Sequence, residues 1–494
     1  MSGLTAAIDV GTSLIKVVLI DDEGTEHGTA SQRTRVTGAT PGWSEQDMTG
    51  VLDAVLKGLR EAVGLAGERV VRIALTAQGD GFWPVDRSGR PAGPAILWND
   101  ARSSAVVEEW RASGSLDEAF RINGSLGNSG LPHAILATLR REDEDRLAEV
   151  ATVLTCGGWL YRALTGVLGL HPSDASAPWL DIATGTVSDE LVDIYGLEWA
   201  RELVPPVLAA DELTAPLDPR IATAVGLALG TPVTMAPYDV VATGWGSGAT
   251  APGSAFGILG TTLCVGVQLD AADTSGPPSG LTLRNRDQPQ PLRAFPTLAG
   301  TGVVDWAMTI LQIEDAAELS ALAAAAPSGS HGVRTWPYLS EAGERAPFLD
   351  PHARGVFAGI TLSTTRADLA RSVFEGLAHV IRDCVDATGS VPELLALSGG
   401  GSASSLWCQV IADTVGTTVT SEPGRQLGAR GAHIAALAAE RGLTPEAVAQ
   451  AMPVQRTAFH PDPRDSETAA ARHEDFLVSR DAFAERWRTW ERPR

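Results

Sequence analysis

Ile8-Asp9-Val10-Gly11-Thr12-Ser13-Leu14-Ile15-Lys16-Val17-Val18-Leu19-Ile20-Asp21 reads as a strand, a Gly-Thr-Ser turn and a second strand rich in β-branched residues. Half a chain later, Ile258-Leu259-Gly260-Thr261-Thr262-Leu263-Cys264-Val265-Gly266-Val267-Gln268-Leu269-Asp270 repeats the plan, with an Asp at the same distance from the turn glycine. A matched pair this far apart predicts two domains of similar architecture. The breaker-rich stretch 244–253 sets their boundary, giving domains at 1–246 and 247–494. Around the repeats, 47–66 reads as a helix, 70–75 as a buried strand and 394–397 as a short strand. That last strand enters Ser398-Gly399-Gly400-Gly401, after which Ser402 is expected to cap a helix carrying Leu406, Val410, Ile411 and Val415 and ended by Gly416. Strands alternating with helices predict an α/β fold. The stretch 466–494 reads as a charged helix docked through Phe476, Phe483, Trp487 and Trp490.

A Gly-Thr-Ser turn between strands points successive backbone N–H groups into one concavity, a nest suited to phosphate oxygens. Gly11 and Gly260 let a phosphate approach the main chain, and the hydroxyls of Thr12, Ser13, Thr261 and Thr262 add donors. A plain tight hairpin accounts for one copy; two copies with matched spacing favour phosphate binding. Asp9 stands where the second copy has Ile258, so one nest alone carries a carboxylate. A carboxylate there repels phosphate unless Mg2+ lies between them, usually through water. Lys16 is either a point charge on that phosphate or an exposed lysine on an edge hairpin. The third glycine turn, Gly399 and Gly400 before a helix, suits adenine or ribose packed on bare backbone.

Composition limits the alternatives. The chain has 494 residues with 38 Lys+Arg against 60 Asp+Glu, a net charge of −22. That balance argues against nucleic acid or anionic membrane as partner, since both need a cationic footprint. Lys16 and Lys57 are its only lysines, and neither follows a glycine, so no P-loop exists. Cys156, Cys264, Cys384 and Cys408 are too widely spaced for a CxxC site, and HExxH and GxSxG are absent. With no apolar run near ~18 residues and no basic-then-apolar leader pattern, the expectation is a cytoplasmic protein.

Two phosphate hairpins and a glycine turn before a helix resemble the actin/sugar-kinase/heat-shock ATPase superfamily. Gly355-Val356-Phe357-Ala358-Gly359-Ile360, a gap, then Asp368-Leu369-Ala370-Arg371-Ser372-Val373-Phe374-Glu375 resembles the second signature of the FGGY carbohydrate kinases. Gly42-Trp43-Ser44-Glu45-Gln46-Asp47, Ala95-Ile96-Leu97-Trp98-Asn99-Asp100-Ala101-Arg102 and Leu160-Tyr161-Arg162-Ala163-Leu164-Thr165-Gly166 continue the likeness. So do Ser173-Asp174-Ala175-Ser176 and Gly343-Glu344-Arg345-Ala346-Pro347.

The resemblance implies two ribonuclease-H-like (actin-like ATPase) domains with a cleft between them. The N-terminal domain would bind mainly substrate, the C-terminal one mainly ATP with Mg2+, and closure would exclude water. It implies that Asp239, in Ala236-Pro237-Tyr238-Asp239, is the general base on a substrate hydroxyl. Asp9 would hold Mg2+; Thr12 and Thr261 would bind phosphates; Gly300-Thr301-Gly302 and Gly400 would contact the nucleotide. Ser404 falls where relatives often carry an adenine-contacting Asn. On the substrate side, Gln78-Gly79-Asp80-Gly81 stands where glycerol kinases carry Arg-Glu and xylulokinases Met-His, and is similar to L-xylulose and erythritol-type tetritol kinases. Gly79 removes side-chain bulk, Asp80 offers a bidentate acceptor, and Trp98 offers its face to sugar C–H groups or simply fills core. The first family signature is missing around His133, which is a substrate ligand or a packed loop histidine. The expected activity is phosphorylation of a small sugar or polyol, tetritol or ketopentose, by ATP. A homodimer is a common state of the family. Two rivals stay open: an ATP-switched binding protein of the actin or chaperone kind, and a sugar sensor that no longer transfers phosphate.

Overall fold

β-branched runs on both sides of the first turn pair as β1 (Leu4–Val10) and β2 (Leu14–Ile20), antiparallel, with Asp9 opposite Lys16. The sheet grows to β3 (Glu26–Arg33), β4 (Val70–Ala77), β5 (Thr214–Pro216) and β6 (Pro232–Met235) in the order β3-β2-β1-β4-β6-β5. β4 runs parallel to β1 and β6 parallel to β4, while β5 closes the edge antiparallel. β1 and β4 are buried almost throughout, as strands covered on both faces must be. Helix Met48–Leu65 buries Val51, Val55, Leu59 and Ala62; Asp47 caps its start and Ala66 its end, so the expected 47–66 takes in both caps.

The second hairpin repeats this plan. β7 (Ser254–Leu259) and β8 (Leu263–Gln268) are antiparallel, and β9 (Leu281–Asn285), β10 (Gln288–Pro296), β11 (Leu394–Ser398), β12 (Thr418–Ser421) and β13 (Thr457–Phe459) complete the order β9-β10-β8-β7-β11-β12-β13. β11 is parallel to β7, β12 parallel to β11, and β13 closes antiparallel. Both sheets therefore share a hairpin, two parallel strands and an antiparallel closing strand, extended beyond the hairpin by β3 in the first and by β10 and β9 in the second. This is the two-fold α/β architecture that the sequence repeat predicts.

The computed structural model describes residues 3–285, 288–422, 424, 426–452 and 456–490. The chain forms two compact units: residues 1–250, 270–292 and 426–453 make the first, and 251–269, 293–425 and 454–494 the second. Helix Leu427–Arg441 joins the first unit by crossing helix Asp239–Gly246 at close range: a Cβ on Gly246 would collide with the Leu427 carbonyl, and one on Gly431 with that of Ala242. Gly244 and Gly246, read from sequence as linker, are thus helical, and Gly246 lets the two backbones touch. Two further expectations need correction. Ser404, not Ser402, caps helix Ser405–Val415, accepting from Trp407 N at 3.2 Å, while Ser402 donates to Gly399 O from a preceding turn. The last helix runs Pro463–Trp487; Phe476 and Trp487 are buried and Phe483 packs on the core, but Trp490 lies beyond it and is exposed. Among the described residues no helix is long and apolar enough to cross a membrane.

Candidate active site

Three neighbouring parallel strands of the first unit deliver chemistry at their carboxyl ends, where open α/β sheets place ligands. Asp9 lies near the end of β1, Gln78-Gly79-Asp80 follow β4, and Asp239 opens the helix after β6. Helix Pro172–Trp179 adds Asp174, whose Oδ1 accepts from Thr155 Oγ1 at 2.6 Å. These carboxyl groups feel one another. Burial raises Asp239 well above the usual carboxylate range, and the charges of Asp9, Asp80 and Asp174 push it further. Burial lifts Asp174 to about 7, with Asp80 adding to the rise and the Thr155 hydroxyl opposing it. Asp9 is raised by burial and held back by Lys16, whose Nζ donates to Gln426 Oε1 at 2.7 Å. A Cβ at Gly428 would lie 2.6 Å from Asp9 Oδ2, so helix Leu427–Arg441 shapes this carboxylate's surroundings.

The hairpin turn beside Asp9 divides its hydrogen bonds. The Thr12 carbonyl accepts from Gln46 Nε2 and Thr34 Oγ1, both at 2.6 Å. The Thr12 hydroxyl donates to Gln78 Oε1 at 2.8 Å and accepts from Trp98 Nε1 at 3.0 Å, and Gln78 Nε2 donates on to Gln46 Oε1 at 3.0 Å. Its single proton thus goes to Gln78. Thr12 and Ser13 N–H donate to no acceptor among the described residues, the hydrogen-bond pattern of an anion nest. Trp98, half-buried, is tied into the same ring of bonds. Asp100 orders its loop by accepting from Ser44 N and Arg102.

Gly79 does not leave the open space its lack of a side chain suggests. A Cβ there would lie 2.6–2.9 Å from three atoms of the Tyr238 ring, so the tyrosine preceding the expected base occupies that volume. Asp80, at φ 55°, sits in the left-handed region between Gly79 and Gly81, and its charge acts on Asp174 and Asp239. His133 is a packed histidine. It is fully buried, stacks on Trp110 at 5.0 Å and 13°, and burial pushes its pKa down to about 3.

In the second unit a cavity of about 830 Å3 is lined by Gly260, Thr261, Thr301, Gly400 and Ser404, with Phe374 and Trp407 as apolar wall. Thr261 and Thr262 N–H donate to no acceptor among the described residues, matching the first hairpin. Nothing lies within 4 Å of a Cβ built on Gly400, so its backbone is open to a flat ring. Gly300 and Gly399, expected to touch nucleotide, lie outside the lining: side chains there would strike Thr261 and Leu259 carbonyls, so these glycines let chains approach. Thr262 is outside it as well. Thr301 N and Gly302 N are spent on the carbonyls of Gly260 and Thr261, leaving the Thr301 hydroxyl as what that turn can offer. Ser404 Oγ shares a 3.0 Å bond with Ser320 Oγ.

Sequence reading named no role for Asp174, Tyr238, Gln46 or Gly428. Asp174, Gln46 and Tyr238 stood inside quoted motifs, but the place of Tyr238, like that of Gly428, is revealed only by what a side chain at Gly79 or Gly428 would strike.

A carboxylate cluster against one free-amide hairpin, a bare-glycine cavity against its twin, and two sheets of one strand scheme define a phosphotransferase of the actin-like ATPase fold. The chain belongs to the FGGY family of carbohydrate kinases: residues 4–246 match the family's N-terminal domain and residues 255–440 its C-terminal domain. It is a sugar or polyol kinase, a phosphotransferase with an alcohol group as acceptor, and FGGY kinases use ATP, usually with Mg2+. It is 31% identical over 464 residues to the erythritol kinase of Brucella abortus (strain 2308), covering 87% of this chain and 86% of that one. With the xylulose kinase of Escherichia coli (strain K12) it shares 30% over 431 residues, covering 85% and 87%. The crystal structure of xylulose kinase from Rhodospirillum rubrum superposes with a TM-score of 0.89 at 25% identity, covering 99% of this chain and 100% of that one.

Proposed function

We propose that this chain transfers the γ-phosphate of Mg-ATP to a hydroxyl of a small neutral polyol, a tetritol of the erythritol type first, with Asp239 as general base. The observation that carries the reading is the convergence of Asp9, Asp80, Asp174 and Asp239, each raising or answering another's charge. Carboxylates close enough to raise one another's pKa gain from further hydrogen-bond donors, and vicinal hydroxyls of a polyol supply them in pairs. The same cluster repels sugar acids, so the acceptor is neutral. Tyr238 filling the space above Gly79 suits a short carbon chain. The Brucella abortus relative, an erythritol kinase, agrees.

Asp239 takes the hydroxyl proton as the oxygen attacks phosphorus; its raised pKa makes it a stronger base than an exposed aspartate. The free amides of Thr12 and Ser13 and those of Thr261 and Thr262 receive phosphate oxygens. Lys16 adds one charge. Gly400, Ser404 and the Thr301 hydroxyl face the nucleotide in its cavity. Asp9 fits Mg2+: its half-buried carboxyl is destabilised by burial, and that ion takes one or two protein carboxylates with waters and phosphates, so the lack of a cluster of three ligands among the described residues is no objection. When bound, the ion neutralises phosphate charge.

The test is an ADP-release screen with Mg-ATP against erythritol, pentitols, L- and D-xylulose, glycerol and gluconate. Erythritol should give the highest kcat/KM and gluconate none. Tyr238→Ala should move preference toward five-carbon acceptors by roughly 10-fold, the worth of a methylene or two in a pocket. Background ADP release with every acceptor would end the kinase reading for this site; a ketopentose preference in the wild type would replace the tetritol.

A further inference from the structure

The second unit holds another cavity, about 300 Å3, that shares no lining residue with the nucleotide cavity. Its walls are the turn 327–335, helix Arg366–Asp386 and helix Pro463–Trp487. Phe374 of helix Arg366–Asp386 faces the nucleotide cavity, while Ser372, Glu375 and His379 of that helix face this one.

Most charges at its wall are matched. Glu375 accepts from Arg371 Nε, Gly329 N and Ser330 Oγ at 2.8–2.9 Å. His331 bonds Asp368 at 2.7 Å, and Arg334 pairs with Asp475. Arg472 differs. Its guanidinium reaches only the Ser328 hydroxyl at 3.1 Å and the Ser328 carbonyl at 3.3 Å, and it has no carboxylate partner among the described residues. His379 is 7% exposed and its Nδ1 has no hydrogen-bond partner, although its ring is fixed by stacking on Phe476 and His473 at 5.2 and 5.4 Å. The turn opposite is unusual. Gly329, Ser330, His331 and Gly332 all have φ between 48° and 91°, and two of them are not glycine. Such backbone persists where its surroundings over-determine it, commonly at ligand clamps. Here a side chain at Gly329 would strike Arg472, so the turn sits directly on the guanidinium.

We propose that this cavity binds a small oxyanion, the carboxylate or phosphate of a hydroxylated compound, with Arg472 as charge partner and His379 as second donor. One unmatched cation selects a monoanion. The imidazole, which burial holds neutral, contributes an N–H rather than a second charge. Thr335 and Ser372, bonded to each other at 2.8 Å on the cavity wall, are placed to meet the ligand's hydroxyls. The volume admits a phosphate-sized group with a few carbons and excludes a nucleotide.

Isothermal titration of the full chain, saturated with Mg2+ and a non-hydrolysable ATP analogue, reads this site apart from the nucleotide cavity. Glycerate and inorganic phosphate are the probes, and whichever binds tighter identifies the head group. Arg472→Gln should weaken binding ~10-fold or more, as loss of a charge-assisted bond does, and Arg472→Lys should restore most of it. His379→Phe, which keeps the stacked ring, should weaken binding several-fold. The proposal is overturned if wild type takes up neither probe to about 10 mM, or if Arg472→Gln binds as wild type does. Should Arg472→Gln fail to fold, unchanged binding in His379→Phe overturns it equally.

Discussion

At Asp239 and Asp174 the arrangement proposed to serve chemistry also weakens the fold. In both, the folded pKa lies above the unfolded value, so the folded state binds the extra proton. Stability from such a group is full below the unfolded pKa near 4 and is lost as pH rises through the folded one, about 7 for Asp174. At about 1.4 kcal/mol per pKa unit, ionised Asp174 costs roughly 4 kcal/mol at alkaline pH. Asp174→Asn, which keeps an acceptor for Thr155, should therefore raise the melting temperature more at pH 8 than at pH 5. An equal gain at both would show that the carboxyl is not strained by burial. For Asp239 the penalty is functional. Asp239→Asn should lower kcat about 10²–10⁴-fold while nucleotide binding, followed by titration, stays near wild type. With Asp239 as the proposed base, wild-type turnover should fall as pH drops through its raised pKa.

At the scale of the element, helix Leu427–Arg441 is packed by absent side chains. Alanine in place of a helical glycine ordinarily stabilises by about 1 kcal/mol. At Gly431 the new methyl would run into the Ala242 carbonyl, so Gly431→Ala should destabilise by about 1–3 kcal/mol, read as a lower denaturant midpoint at unchanged slope. The sign alone decides. The second family signature is likewise constructional: Asp368 completes a capping box with Thr365, and Glu375 pins Arg371, Gly329 and Ser330. Elements like these mark the limit of sequence reading. The hairpins were legible because strand, turn and strand are contiguous and coded by β-branched runs around a glycine. The cap at Ser404 and the exposure of Trp490 are not coded locally, since two serines compete for one cap and apolar character alone does not place a residue under the core. Asp9 and Asp239 could be singled out because each stands in a local motif. Gly79 meeting Tyr238, and Gly428 meeting Asp9, are encounters between distant segments that no local pattern encodes.

For the whole molecule, the chain's path matters more than its division into halves. Residues 4–246 match one family domain, yet the first compact unit also draws on 270–292 and 426–453. Without the latter, Asp9 loses the Gly428 backbone beside it, Lys16 loses Gln426, and helix Asp239–Gly246 loses the partner that Gly246 lets it touch. The buried histidine His433, bonded to Thr5 at 2.8 Å, leaves with it and uncovers the strand that begins the fold. A fragment ending at 250 would then expose apolar surface around Val18, Ile20 and Ala7, which pack with Ala429. The net charge of −22 does not offset this, because self-repulsion destabilises the compact state rather than supporting it. The 1–250 fragment should accordingly fail to melt cooperatively and should bind erythritol no better than background in a titration. A covalent fusion of 426–453 to that fragment through a flexible linker should recover a cooperative transition. If the bare fragment melts as sharply as the full chain, the returning helix is an accessory and the first unit is complete at 250.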